Sequence, residues 1–173
     1  MPQIRIYIAQ SLDGYIARAD GGIDWLRPFD DVDYGYSAFM RDIGTVVMGR
    51  KSYDLARSFG DWPYQNARSL VITSSPLDAE APPSATRVGA DIPRLVTALR
   101  AAGDKDVWIM GGAQTINAFL TTNAIDRIDL FTLPVLLGEG IRLFEGGRPE
   151  TGLRLLSSQV YDKGLARLSY TRA

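Results

Sequence analysis

The stretch TVVMGRKSY (45–53) decides the fold. Its first half, Thr45 to Met48, is a short β-branched and apolar run, which reads as a strand buried inside a sheet. Gly49 ends that run, and from about Lys51 to Ser58 the pattern is helical. A strand that passes through a glycine straight into a helix is the repeating unit of a parallel α/β sheet. The unit recurs downstream. Val107–Met110 runs into Gly111-Gly112 and a helix containing Ile116, Phe119 and Leu120.

Working outward, Ser69–Thr73 is a further strand, followed by the loop SSPLDAEAPPSA. Asp91 then caps a helix with Ile92, Leu95, Val96 and Leu99 on one face. Upstream, Ile4, Ile6 and Ile8 alternate with Arg5, Tyr7 and Ala9 as a strand does. Residues 11–30 read as a long loop broken by Gly14, Gly21, Gly22 and Pro28. Val32, Tyr36, Phe39, Met40 and Ile43 fall at helical spacing behind an Asp-rich start. Ile125–Val135 is again a strand, and two β patterns, from about Leu153 to Val160 and from Leu165 to Thr171, form a hairpin. The expected architecture is α/β, a three-layer sandwich with a mostly parallel mixed sheet and an antiparallel C-terminal hairpin, over a single domain, residues 1–173.

Composition narrows the chemistry. The 173 residues include neither histidine nor cysteine. No Ser-His-Asp or Cys-His nucleophile can be assembled, no disulfide can form, and zinc or copper would lack its usual ligands. No metal site is therefore expected. The 19 Lys+Arg against 20 Asp+Glu leave a net charge of -1, without the signature of a nucleic-acid or membrane-surface binder. The N-terminal stretch reads as neither a signal peptide nor a membrane span, so the expected location is cytoplasmic. Any enzyme built this way must work with carboxylates, hydroxyls, backbone amides or a borrowed cofactor.

In open parallel sheets ligands bind beyond the carboxyl ends of the strands, and three junctions there suit an anion. At the first, Gly49 precedes Arg50, Lys51 and Ser52 at a helix start. At the second, the strand ending at Thr73 offers the hydroxyls of Ser74 and Ser75. At the third, Gly111 and Gly112 allow close backbone approach at the start of another helix. Taken singly, each is ordinary turn chemistry or solvated charge. Together they point to one extended ligand with several phosphates.

The same residues carry a family resemblance. VVMGRKSY (46–53), VITSSP (71–76) and IMGGAQTINAFL (109–120) have the order and spacing of the dihydrofolate reductase fold. IAQSLDGYIA (8–17) and LPVLLGEG (133–140) are more similar to the reductase domain of riboflavin biosynthesis, which shares that fold. The chain thus resembles stand-alone members of the dihydrofolate-reductase-like superfamily of the RibD C-terminal kind. The resemblance implies NADPH as cofactor. Arg50, Lys51, Ser74 and Ser75 would hold its 2′-phosphate. The amides of Gly111, Gly112, Ala113 and Gln114, with the Thr115 hydroxyl, would take the pyrophosphate. Ala9 would meet the nicotinamide amide, and the loop 13–25 would fold over the ring. Gly49 and Ser52 belong to the same cofactor set. The resemblance to the riboflavin reductases has two departures: Met110 precedes the glycine pair where they usually have glutamate, and their strand-helix junction differs from MGRKSY.

With a cofactor supplying the hydride, the protein must supply a proton. Asp33 is the expected catalytic residue. It lies sixteen residues before Gly49, as the acid of dihydrofolate reductase does, and helical spacing would set it half-buried beside Tyr36 and Met40, where its pKa could rise. An aspartate in a first helical turn is also an ordinary capping choice. Asp13 is expected to shape its loop. Trp25 and Phe59, with Trp62, would wall a pocket for a heterocyclic substrate, although aromatics are commonly core. The leading expectation is a reductase of a pyrimidine or pterin, closest to 5-amino-6-(5-phosphoribosylamino)uracil reductase. The alternatives are a dihydrofolate reductase and a non-catalytic nucleotide-binding protein of the same fold. The apolar C-terminal strands offer an edge for a homodimer.

Overall fold

Strands that alternate with helices can lie parallel only if each connection crosses over the sheet, and the helices then cover its faces. The computed structural model describes residues 1–146 and 150–173. In chain order the elements are β1 (Ile4–Ser11), β2 (Tyr15–Ala17), a 3-10 segment (Asp24–Phe29), α1 (Tyr36–Asp42), β3 (Ile43–Gly49) and α2 (Arg50–Ser58). They continue with β4 (Arg68–Ile72), β5 (Ala85–Val88), α3 (Ile92–Ala101), β6 (Asp106–Gly111), α4 (Ala113–Thr121) and β7 (Arg127–Leu133). The last are β8 (Ile141–Arg142), β9 (Leu153–Val160), a 3-10 turn (Asp162–Gly164) and β10 (Ala166–Arg172).

The main sheet runs β5-β4-β3-β6-β1-β7-β10-β9, and β2 pairs with β8 apart from it. Every pair from β5 across to β7 is parallel, while β10 lies antiparallel to both β7 and β9. The expected mixed sheet with its C-terminal hairpin is the architecture observed. Alternation along the strands sorts side chains into two cores. Val46, Met48 and Val71 join Phe39 of α1 and Tyr53 of α2 on one face. Ile4, Ile6, Val47 and Ile109 join Leu99 of α3 and Phe119 of α4 on the other. Helices therefore cover both faces, which makes three layers. Among the described residues no helix is long and apolar enough to cross a membrane.

The sheet is not closed evenly. β1 and β7 stay in register from Arg5–Arg127 to Ser11–Leu133. β1 and β6 pair only at Ile4–Val107 and Arg5–Trp108. Beyond that point the Trp108 indole crosses over and donates to the Tyr7 carbonyl at 3.1 Å. The ladder lapses there, where the strand order reverses with β6 between β3 and β1, and the topology puts the switch-point crevice at these carboxyl ends. That is the usual ligand position in such sheets.

Three expectations about elements need correction. The helix expected behind Asp30–Asp33 begins only at Tyr36, and Ile43 belongs to β3. Gly35 precedes the helix in a left-handed conformation (φ 77°). Tyr34 is pinned instead, its hydroxyl donating to the Phe29 carbonyl and its own carbonyl accepting from the Tyr7 hydroxyl. The loop 11–30 contains both β2 and the 3-10 segment. The edge strand β5 was not expected, because ATRV is only four residues long and half polar.

Candidate functional site

The cofactor-side residues are brought together by adjacency of β3 and β6. Each strand ends in glycine at the same sheet edge and opens directly into a nine-residue helix. The N-caps, Gly49 and Gly112, are extended and make no side-chain cap, so the first amides of α2 and α4 point outward, ready for an anion. The two turns touch. A Cβ at Gly49 would lie 2.9 Å from Thr115 Oγ1, and one at Gly112 would lie 3.4 Å from Ser52 Oγ. Gly111 has φ 141° and is joined to Gly112 by a cis peptide. The cradle is built from backbone and two hydroxyls, with no space for larger side chains. Its donors fit the pyrophosphate of a dinucleotide.

The second anion position lies one strand further out. Arg50 donates through Nη1 to the Pro76 carbonyl at 3.1 Å and through Nε to the Asp54 carboxylate at 2.9 and 3.1 Å. Ser74 and Ser75 are exposed, and the Ser75 amide donates to Thr73 Oγ1. Lys51 is exposed on the first turn of α2. Arg87 lies on β5, a four-residue half-polar strand with no pattern of its own to single it out. Its Nη1 donates to the Ser74 carbonyl at 2.9 Å.

On the other side of the crevice, Ala9 of β1 pairs with Phe131 of β7. Just past it, the two motifs similar to the riboflavin reductases form one structure. Asp13 accepts from the Ser11 hydroxyl at 2.5 Å and from the backbone amides of Leu137 and Gly138 at 3.1 and 2.7 Å. The Leu12 amide donates to the Val135 carbonyl, and β2 pairs with β8. The hydrogen bond from Ser11, aided by the amides of Gly138 and Leu137 against the cost of desolvation, lowers the Asp13 carboxyl to about 2. Gly140 fits because a Cβ there would lie 2.2 Å from the Ala17 carbonyl oxygen. Asp13 does shape its loop, and it also docks a second loop more than a hundred residues away.

The expected catalytic and substrate residues are placed differently. Asp33 is exposed and outside α1. Its carboxylate accepts from the Gly35 amide at 2.8 Å, as aspartates do in tight turns. The half-burial expected of it is absent, because the helix starts three residues later. Trp25 and Phe59 do not line one wall. Trp25 is 4% exposed within the aromatic core, and Phe59 is 67% exposed where α2 ends. Trp62 and Tyr64 take the interior positions instead, with Tyr53–Trp62 and Trp62–Tyr64 centroids 5.5 and 5.2 Å apart. Trp25 Nε1, Trp62 Nε1 and the Tyr53 hydroxyl are buried without a hydrogen-bond partner. Trp25 and Trp62 belong to the same hydrophobic core, where an unpaired polar group is costly unless something bonds to it. Among the described residues no group of three or more acidic side chains could hold a metal ion.

Residues 46–166 match the RibD C-terminal domain family. The chain is 37% identical to the uncharacterized protein YwjB of Bacillus subtilis (strain 168), covering 97% of each. It is 29% identical to the riboflavin biosynthesis protein RibD of Corynebacterium ammoniagenes, over 81% of this chain and 45% of that protein. A crystal structure from Shewanella sp. PV-4, provisionally assigned to riboflavin biosynthesis, superposes with a TM-score of 0.90 at 30% identity, covering 99% of each chain.

Proposed function

The chain belongs to the RibD C-terminal domain family, and from that premise we propose that it is an NADPH-dependent reductase of a pyrimidine- or pterin-type heterocycle. The chemistry closest to this reading is that of 5-amino-6-(5-phosphoribosylamino)uracil reductase. The observation that carries it is the pair of touching glycine N-caps at the starts of α2 and α4, beside the point where the β1–β6 ladder lapses. Bound NADPH would supply the hydride, so the absence of histidine and cysteine is no obstacle.

The protein's own part is binding, orientation and water exclusion. Gly49, Ser52, Gly111, Gly112, Ala113, Gln114 and Thr115 hold the pyrophosphate with amides and hydroxyls. Arg50, Lys51, Ser74 and Ser75 take the 2′-phosphate, the group that separates NADP from NAD. The backbone of Ala9 orients the nicotinamide. A flat heterocycle bearing carbonyl and ring-nitrogen acceptors suits the unpaired indole donors of Trp25 and Trp62. The proton comes from solvent, with the exposed Asp33 carboxylate orienting a water. The same reading makes the protein cytoplasmic and a homodimer.

Titration with NADPH and NADH is the first test. Micromolar NADPH binding is expected, with NADH at least about tenfold weaker for want of charge-assisted bonds to phosphate. Binding of neither below millimolar concentration overturns the reading. NADPH oxidation followed with dihydrofolate and with the phosphoribosylamino-pyrimidine then separates the two substrate classes. Asp33→Asn should lower kcat while leaving NADPH affinity unchanged; an unaltered kcat removes Asp33 from the mechanism.

A further inference from the structure

The turn at the carboxyl end of β4 is held by arginines from two elements. Arg50 opens α2 and donates to the Pro76 carbonyl, while Arg87 on β5 donates to the Ser74 carbonyl. Both approach from one side of the sheet. Arg87 stands opposite Val71 in the β4–β5 ladder, and Val71 points into the core beneath α2. Parallel register puts partnered residues on the same face, so Arg87 leaves the sheet on the face that carries α2 and Arg50. Ser74 and Ser75 lie exposed between them.

The electrostatics of the two arginines differ. The Arg50 charge is partly offset by Asp54 at 2.9 Å, and the nearby Arg57 is paired with Asp78. Among the described residues Arg87 makes no ion pair with a carboxylate. A phosphate monoester carries close to two negative charges at neutral pH, which Lys51 and a half-neutralised Arg50 do not fully balance. Arg87 spends one N–H on Ser74 and has five to offer. That single bond also orders the side chain beforehand, which lowers the entropy lost on capturing an anion.

We propose that Arg87 is the second arm of a two-arginine clamp on the 2′-phosphate, opposite Arg50 across the Ser74–Pro76 turn, and that it sets the preference for NADPH over NADH. The inference rests on the dinucleotide reading above and adds to it a specificity residue on the edge strand.

The test measures dissociation constants of NADPH, NADH, 2′,5′-ADP and 5′-AMP for the full chain, for Arg87→Ala and for Arg87→Lys, with thermal melts as a folding control. Arg87→Ala should weaken NADPH and 2′,5′-ADP at least about tenfold while NADH and 5′-AMP stay within about twofold. Arg87→Lys, which keeps the charge and loses the fork, should fall between. Equal weakening of all four ligands would make Arg87 a structural brace of the turn and overturn the clamp. So would NADPH affinity that Arg87→Ala leaves untouched; in that case the dinucleotide reading survives. An unmutated chain that takes up neither dinucleotide overturns both.

Discussion

Single atoms decide the tightest part of the site. Gly49 has ordinary extended dihedrals (φ -79°, ψ 167°), so alanine there meets no backbone strain. What it meets is Thr115 Oγ1 at 2.9 Å, and a buried β-branched side chain has few other rotamers. Gly49→Ala is therefore expected to push the two turns apart and weaken NADPH at least about tenfold, roughly 1.4 kcal/mol. Overpacking a buried contact also costs about 1–3 kcal/mol, so the melting temperature should fall by several degrees. Calorimetric titration beside a thermal melt checks both halves. Asp129 makes the opposite case. It is 1% exposed in β7 and receives hydrogen bonds from Arg127, Arg5 and Ser169. Burial pushes its carboxyl up, and the bonds from Arg127 and Ser169 with the charges of Arg127 and Arg5 outweigh it, leaving a net lowering. Asp129→Asn removes the buried charge that Arg127 and Arg5 share, while Arg5 keeps Asp106 at 3.2 Å, so about 1–3 kcal/mol of stability should be lost in urea unfolding at neutral pH. At this scale the sequence was legible where backbone chemistry rules. Gly49, Gly111 and Gly112 are small because the turns touch, and MGRK and MGG state it. Asp33 was not legible, because a spacing of sixteen residues does not reveal that Gly35 delays the helix.

Elements were legible where periodicity is long and unmixed. α2, α3 and α4 carry clear apolar faces, and the Asp91 cap accepts from the Arg94 amide as expected. The misses were short. β5 and β2 are four and three residues long, and both are defined by partners far away in the chain rather than by their own pattern. The same holds for the SLDG and LLGEG motifs, whose meaning lies in each other. One carboxylate joins them, and its titration gives a prediction. Because Asp13 is lowered from the usual carboxylate range to about 2 in the folded chain, the docking contributes stability above pH about 4, where an unfolded aspartate is also ionised. That contribution is lost as pH falls through the folded value. Asp13→Asn should be less stable than the unmutated chain at neutral pH, with the gap narrowing between pH about 4 and about 2. Urea unfolding of both proteins over that range tests it; a constant gap would mean that the carboxylate's charge does not dock the loops.

At the scale of the molecule, the C-terminal hairpin leaves one edge of the sheet unfinished. All eight residues of β9 are exposed. The ladder with β10 sets Leu153 beside Arg172, Leu155 beside Tyr170, Ser158 beside Leu168 and Val160 beside Ala166. The register shifts between Leu155 and Ser157, so that Leu153, Leu155 and Val160 share a face with Leu168 and Tyr170. Tyr170 packs against the core beneath α3 and α4, and yet Leu153, Leu155, Leu156 and Val160 remain 43 to 77% exposed. A bare apolar edge strand is an aggregation hazard unless something covers it. A second copy suits it by charge as well as by shape. Residues 151–160 contain one charge, Arg154, so two such edges can meet about a two-fold axis with little repulsion and each patch covered by its twin. Completing the burial of four aliphatic side chains on each copy is worth about 1 kcal/mol apiece, or about 8 kcal/mol in all. A micromolar dimer needs a net gain of that size, and the cost of association must be met too, so hydrogen bonds along a shared ladder have to contribute. Sedimentation equilibrium should return the mass of a dimer for the unmutated chain. Leu155→Asp combined with Val160→Asp should return a monomer that binds NADPH as before, since the crevice lies on the far side of β7 from this edge. A chain that stays monomeric well above micromolar concentration rules out pairing through β9, and a doubly substituted chain that remains dimeric places the interface elsewhere.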